Sequence, residues 1–175
     1  MDVQARLTSE QAPASVAEFA TMHNIPYCEA VGTLNWAALA TCPDISFAVS
    51  TMARFASNPS PAHWEAVKRI FCYLASSRNL WLSYGKARHA LIGYTDTDGS
   101  MAEDHHAISG YTFLIDGGAI LWSFKWQEIV SLSTTESEYV VVTHSVKEVL
   151  WLHQQTLEIL VETVETVDIV DIIVI

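Results

Sequence analysis

The chain has 175 residues, 20 acidic against 9 basic, a net charge of −11 and 50% hydrophobic residues. Its mean hydropathy of +0.22 excludes disorder over most of its length, and no apolar run reaches the ~18 residues of a membrane span. Three cysteines (Cys28, Cys42, Cys72) make neither a disulfide framework nor a zinc spacing, and read as buried thiols of an intracellular, non-secreted protein.

Residues 1–25 are polar and aperiodic and read as a linker. Pro26 suits a helix start, with Tyr27, Val31, Leu34 and Ala38 at helical spacing up to Thr41. Pro43 opens a second helix through Phe47, Met52 and Phe55 to about Ser57. Ser60 or Pro61 opens a third, with Trp64, Val67, Ile70, Phe71 and Leu74 on one face, ending near Ser77. This helical segment spans 26–85.

The period then changes to two. Leu80, Leu82 and Tyr84 alternate, and residues 89–96 read as a strand ending in Asp96. Residues 110–116, a Gly117-Gly118 turn and residues 119–124 give a hairpin. Ser133 and Glu136 have capping-box spacing, and predict a helix to Leu160 with Tyr139, Val142, Val146, Val149 and Leu150 along one side. Tyr139 and the tryptophans read as core. Helices followed by β-β-β-α imply an α/β fold with a mixed sheet under helical cover. Residues 161–175 form a three-residue repeat, rich in Val and Ile, and residues 151–175 carry five acids without one base. So acidic a chain binds phosphate poorly by itself.

Three constellations could carry chemistry. Asp96 and Asp98, beside Gly99 at a strand end, could hold a divalent metal, or serve as ordinary turn residues. Glu136 and Glu138 could offer a helical carboxylate to that metal, or simply cap the helix and complement its dipole. Glu103-Asp104-His105-His106 lacks a spaced fourth zinc ligand and reads as a solvated loop.

Several stretches together resemble one family. Tyr27-Cys-Glu-Ala-Val-Gly-Thr-Leu-Asn-Trp, Pro43-Asp-Ile-Ser-Phe-Ala-Val-Ser and His63-Trp-Glu-Ala-Val-Lys-Arg-Ile come first. Gly93-Tyr-Thr-Asp-Thr-Asp, Ile108-Ser-Gly-Tyr-Thr-Phe-Leu and Leu132-Ser-Thr-Thr-Glu-Ser-Glu-Tyr follow, then Lys147-Glu148 and Trp151-Leu152. In order and spacing, residues 26–160 resemble the C-terminal part of a copia-type retrotransposon Pol polyprotein: the end of the reverse transcriptase, then a ribonuclease H domain.

The resemblance implies a partial ribonuclease H-like fold over 86–160. It also implies Mg²⁺ as cofactor, an RNA–DNA hybrid as partner, and Asp96 and Glu138 as catalytic, metal-binding carboxylates with Glu136 on the cap. The family's third acid, in a "CDNQSA" motif, and its fourth have no counterpart. Asp168 and Asp171 lie near the third position in an unrelated context. A truncated, weakly binding remnant with little or no cleavage is therefore expected, the rival being a non-catalytic domesticated or decaying fragment that acts at most as a binding module. Two structural expectations accompany this reading. Asp96 and Glu138 face each other, and residues 167–175 pair in parallel with the open edge of the first strand.

Overall fold

The computed structural model describes residues 7–8, 11–13, 15–85, 91–98, 107–160 and 171–174. It divides into two compact units, the boundary falling between Trp81 and Leu82.

The first unit is helical: α1 (Val16–His23), α2 (Tyr27–Ala40), a 3₁₀ turn (Pro43–Ile45), α3 (Ser46–Ala53) and α4 (Pro61–Ser77). Helix α1 lies where the sequence reads as linker. Its start is a reciprocal box in which Ser15 Oγ accepts from the Glu18 amide at 3.2 Å and the Glu18 carboxylate accepts from the Ser15 amide at 3.3 Å. Capping can start a helix that lacks an apolar face, since it satisfies amides left without partners.

In α2, Tyr27, Val31, Leu34 and Ala38 are buried, as their spacing predicts. They close on Ile45, Val49, Met52 and Phe55, and on Val67 and Ile70 of α4. The Tyr27 hydroxyl donates to the Met52 carbonyl at 2.9 Å, and burial, with Cys28 beside it, pushes its pKa up to about 12. The α4 stripe includes His63, fully buried, whereas Phe71 reaches solvent. Cys28 and Cys72 are exposed free thiols rather than buried ones, because each falls off the apolar stripe of its helix.

The second unit holds β1 (Leu91–Asp98), β2 (Ile108–Ile115), β3 (Gly118–Trp126), α5 (Thr134–Leu160) and β4 (Asp171–Val174). Residues 81–85 have no regular structure despite their alternation; Tyr84 instead donates its hydroxyl to the Ala119 carbonyl at 2.8 Å. The hairpin turn is Asp116-Gly117, one residue earlier than read. Both have positive φ (52° and 81°), the backbone of a two-residue turn that matches strand twist.

Sheet order is β3-β2-β1-β4, with β1–β2 and β2–β3 antiparallel and β1–β4 parallel. The repeat at the chain's end thus supplies the expected parallel strand at the β1 edge. This mixed sheet with its crossing helix is a partial ribonuclease H-like fold.

Leu91 and Phe113 form the core with Val149 and Leu152 of α5. Packing is close at Gly93, where an added Cβ would stand 2.5 Å from the Phe113 ring. The buried stripe of α5 is Ser137, Val141, Ser145, Val149 and Leu152, while Tyr139 and Leu150 are 71% and 64% exposed. Helical spacing predicts Tyr139 and Leu150 on the inner side, and the structure reverses this. Small residues at 137 and 145 bring the helix close to the sheet, which turns the larger neighbours outward. Trp36, Trp81 and Trp151 are likewise exposed, not core.

Candidate functional site

Asp96 lies near the C-terminal end of β1, paired with Gly110 of β2. The glycine leaves no side chain beside it across the ladder, and the carboxylate is exposed. Its Oδ1 accepts from the Thr97 amide at 2.8 Å. Strand alternation turns Leu91, Gly93 and Thr95 toward the core and Asp96 to the opposite face. Asp98 is half-buried, opposite Ile108.

Glu138 is exposed in the second turn of α5. Glu136 is turned to the cap, as its spacing predicts. Its Oε2 accepts from the Leu132 amide at 2.8 Å, while Ser133 Oγ accepts from the Glu136 amide at 3.2 Å. Glu138, two residues further on, takes no part in these capping bonds.

The two carboxylates stand on segments tied together by one side chain. Gln127, buried just after β3, donates from Nε2 to Ser109 Oγ at 2.8 Å and to the Ser137 carbonyl at 3.0 Å, and reaches Thr97 Oγ1 at 3.5 Å. Its Oε1 accepts from Ser131 at 3.1 Å, and its amide donates to the Ala107 carbonyl at 2.8 Å. Thr97 in turn donates to the Ile108 carbonyl at 2.9 Å. Thr97 follows Asp96 and Ser137 precedes Glu138, and the two protons of this one nitrogen tie β2, the strand paired with β1, to the start of α5, with Thr97 Oγ1 beside the junction. The sequence reading missed Gln127. Its partners come from four separate stretches, and no local spacing marks it.

Among the described residues, no three of His, Cys, Asp and Glu gather closely enough to hold a metal ion. The His105-His106 stretch and Asp168 lie outside the described residues. The backbone of Asp171 pairs opposite Ile92 and that of Val174 opposite Thr95. Asp171 therefore stands four residues back from Asp96, ~13 Å along the strand at 3.3 Å per residue. In this register it does not come beside Asp96.

Comparison with known proteins decides the family. The chain is 43% identical over 148 residues to the "Retrovirus-related Pol polyprotein from transposon TNT 1-94" of Nicotiana tabacum, covering 84% of this chain and 11% of that protein. The chain belongs to the copia-type retrotransposon Pol family. It is 36% identical over 125 residues to the Pol polyprotein of transposon RE1 of Arabidopsis thaliana, 70% of this chain and 8% of that one. It is also 39% identical over 137 residues to "Secreted RxLR effector protein 161" of Plasmopara viticola, 77% of this chain and 96% of that one. The Pol-family chain thus spans about a tenth of the tobacco polyprotein and nearly all of the effector. No family model matches it. Nor does any solved structure. Among the described residues, no helix is long and apolar enough to cross a membrane.

Proposed function

We propose that this chain carries part of a ribonuclease H centre that engages RNA–DNA hybrids with Mg²⁺ and, alone, cleaves them slowly or not at all. The observation that carries the reading is the Gln127 clasp, which ties the segments bearing Asp96 and Glu138 at one end of the sheet.

The donor chemistry suits one hydrated ion. Mg²⁺ is commonly held by one or two carboxylates, with water filling the remaining positions. Asp96 and Glu138, both exposed, would hold it; when bound, it would lower the pKa of a water and steady charge on a phosphate oxygen. The chain's own work is positional. The Thr97 amide orients one Asp96 oxygen, and the Glu136 cap leaves Glu138 available. Hydrolysis across two metals needs further carboxylates to keep the cations ~4 Å apart. With two acids the expected rate is low.

A magnesium titration, with Mn²⁺ as the paramagnetic probe, and cleavage of a labelled hybrid test this reading. Asp96→Asn and Glu138→Gln should each weaken metal binding. If Glu138→Gln leaves it unchanged, the shared site fails. Strong Mg²⁺-dependent cleavage abolished by Asp96→Asn would overturn the claim of low activity.

A second reading has its own observation. The effector relative is matched over 96% of its length, so much the same stretch stands there as a protein in its own right. A non-catalytic binding module would bind Mn²⁺ no better than the Asp96→Asn variant.

A further inference from the structure

The chain has only 9 Lys and Arg against 20 acids, yet two lysines and a histidine converge on one groove of about 320 Å³ under α5. Its floor is a square of cross-strand pairs, Ser109 opposite Lys125 and Tyr111 opposite Ser123. Directly paired residues share a face, so these four side chains project together. Its wall is one stripe of α5, where His144, Lys147 and Glu148 recur at i, i+3 and i+4.

We infer that this groove binds the sugar-phosphate backbone of an RNA strand: Lys125 and Lys147 take the phosphate oxygens and Glu148 accepts a ribose 2′-hydroxyl. The inference rests on the proposed hybrid-binding role, and names where the RNA strand is held.

The hydroxyls suit the task. Ser109 Oγ already accepts from Gln127, which leaves its own proton to donate to a phosphate oxygen. Burial raises the Tyr111 hydroxyl above its ordinary range, the Ser123 bond pulls the other way, and the Glu148 charge raises it again. Tyr111 thus stays a donor at neutral pH. Lys125 is held by Glu128 at 3.4 Å, but with side chains 70% and 86% exposed the pair is loose enough for a phosphate to displace. A lone carboxylate in such a groove would repel a simple anion. Beside two lysines it has a use, because the 2′-hydroxyl is the donor that distinguishes RNA from DNA.

The test uses the full chain in EDTA, which removes any metal-dependent contribution from Asp96 and Glu138. Binding of a 12-base-pair RNA–DNA hybrid and of the same-sequence DNA duplex is measured across a salt series. The hybrid should bind more tightly. Lys125→Gln with Lys147→Gln should weaken it about tenfold and flatten the salt slope by about two phosphate contacts. Lys68→Gln, on the helical unit, should change nothing, and Glu148→Met, which leaves no acceptor there, should erase the preference for hybrid while keeping affinity for DNA. Circular dichroism checks that each variant folds. Unchanged hybrid binding in the double variant, equal binding of both duplexes by the parent chain, or no binding by it at low salt would each overturn the groove. None of these bears on the metal reading, which the Mn²⁺ titration decides separately.

Discussion

The helical unit hides ten apolar side chains, from Tyr27 to Ile70, in one cluster. Among the described residues the sheet unit buries Leu91, Ala107, Ile108, Phe113, Val141, Val149 and Leu152, but alongside them Thr95, Ser109, Gln127, Ser137 and Ser145. The first interior is held by apolar area, which is non-directional and forgiving of small shifts. The second depends more on geometry. Each buried polar group there needs a partner at the right distance, and one lost partner strands another. The proposed site lies in the second unit, where Gln127 supplies that order.

Phe113→Ala should break the comparison most strongly. It removes the ring that packs on Gly93 and clusters with Leu91, Val149 and Leu152, at a cost of about 3–5 kcal/mol. Amide exchange should become fast through β1, β2 and α5 while α2 and α4 keep their protection. Loss of protection in both units together would show that they unfold as one.

Gln127→Leu is the subtler break. The volume stays close, but the Ser137 carbonyl and Ser109 hydroxyl lose their donor, costing about 1–3 kcal/mol. Chemical denaturation should register that loss, and Mn²⁺ binding should weaken with it as the β1–α5 junction loosens. Metal affinity unchanged at full occupancy of the folded state would show that the clasp does not position the carboxylates.

The smallest effect sharpens the contrast from the other side, through a buried polar residue in the apolar unit. His63 Nδ1 accepts from the Ser60 amide at 3.0 Å while Ser60 Oγ accepts from the His63 amide at 3.3 Å, and the ring stacks on Phe55 at 3.9 Å. Burial lowers its pKa, opposed by the backbone of Thr8. Above about pH 6.5 both folded and unfolded imidazoles are neutral and the cap is intact. As pH falls below that, the unfolded chain takes up a proton that the folded ring resists, so stability declines until the lowered folded pKa is passed. Urea midpoints should fall between pH 7.5 and 5 by more in the parent chain than in His63→Gln, whose amide can still accept at this cap position. An equal fall in both would remove His63 as the cause.

Much of the fold was legible. The stripe of α2 and the start of α5 at Ser133 follow from spacing, and the hairpin was misplaced by one residue at its turn. What escaped has a common cause. Hydropathy assigns Ser137 and Ser145 to the surface and Tyr139 to the core, but close helix-to-sheet approach reverses them. Gln127 is defined by partners at 97, 109, 131 and 137, a relation that exists only once the chain is folded. Asp96 and Glu138 were candidates by position alone, since the same spacing serves a turn and a cap; the family resemblance, not periodicity, singled them out.

The register of β4 has a consequence for how a repeating sequence finds a single place. The strand is drawn from a repeat in which Asp-Ile occurs at 168–169 and again at 171–172, while the ladder it joins is made of backbone groups common to every residue. A slide of three residues would offer β1 an Asp-Ile start again, but an odd slide turns every side chain of the strand to the other face, and the buried face of the sheet opposes it. The slide would also carry Asp171 from its place opposite Ile92 to one opposite Thr95, on the core side of the sheet, where a carboxylate has no water. The sheet edge then works as a seat with one setting: a strand can shift along it only in steps that keep its two faces, and one three-residue repeat is not such a step.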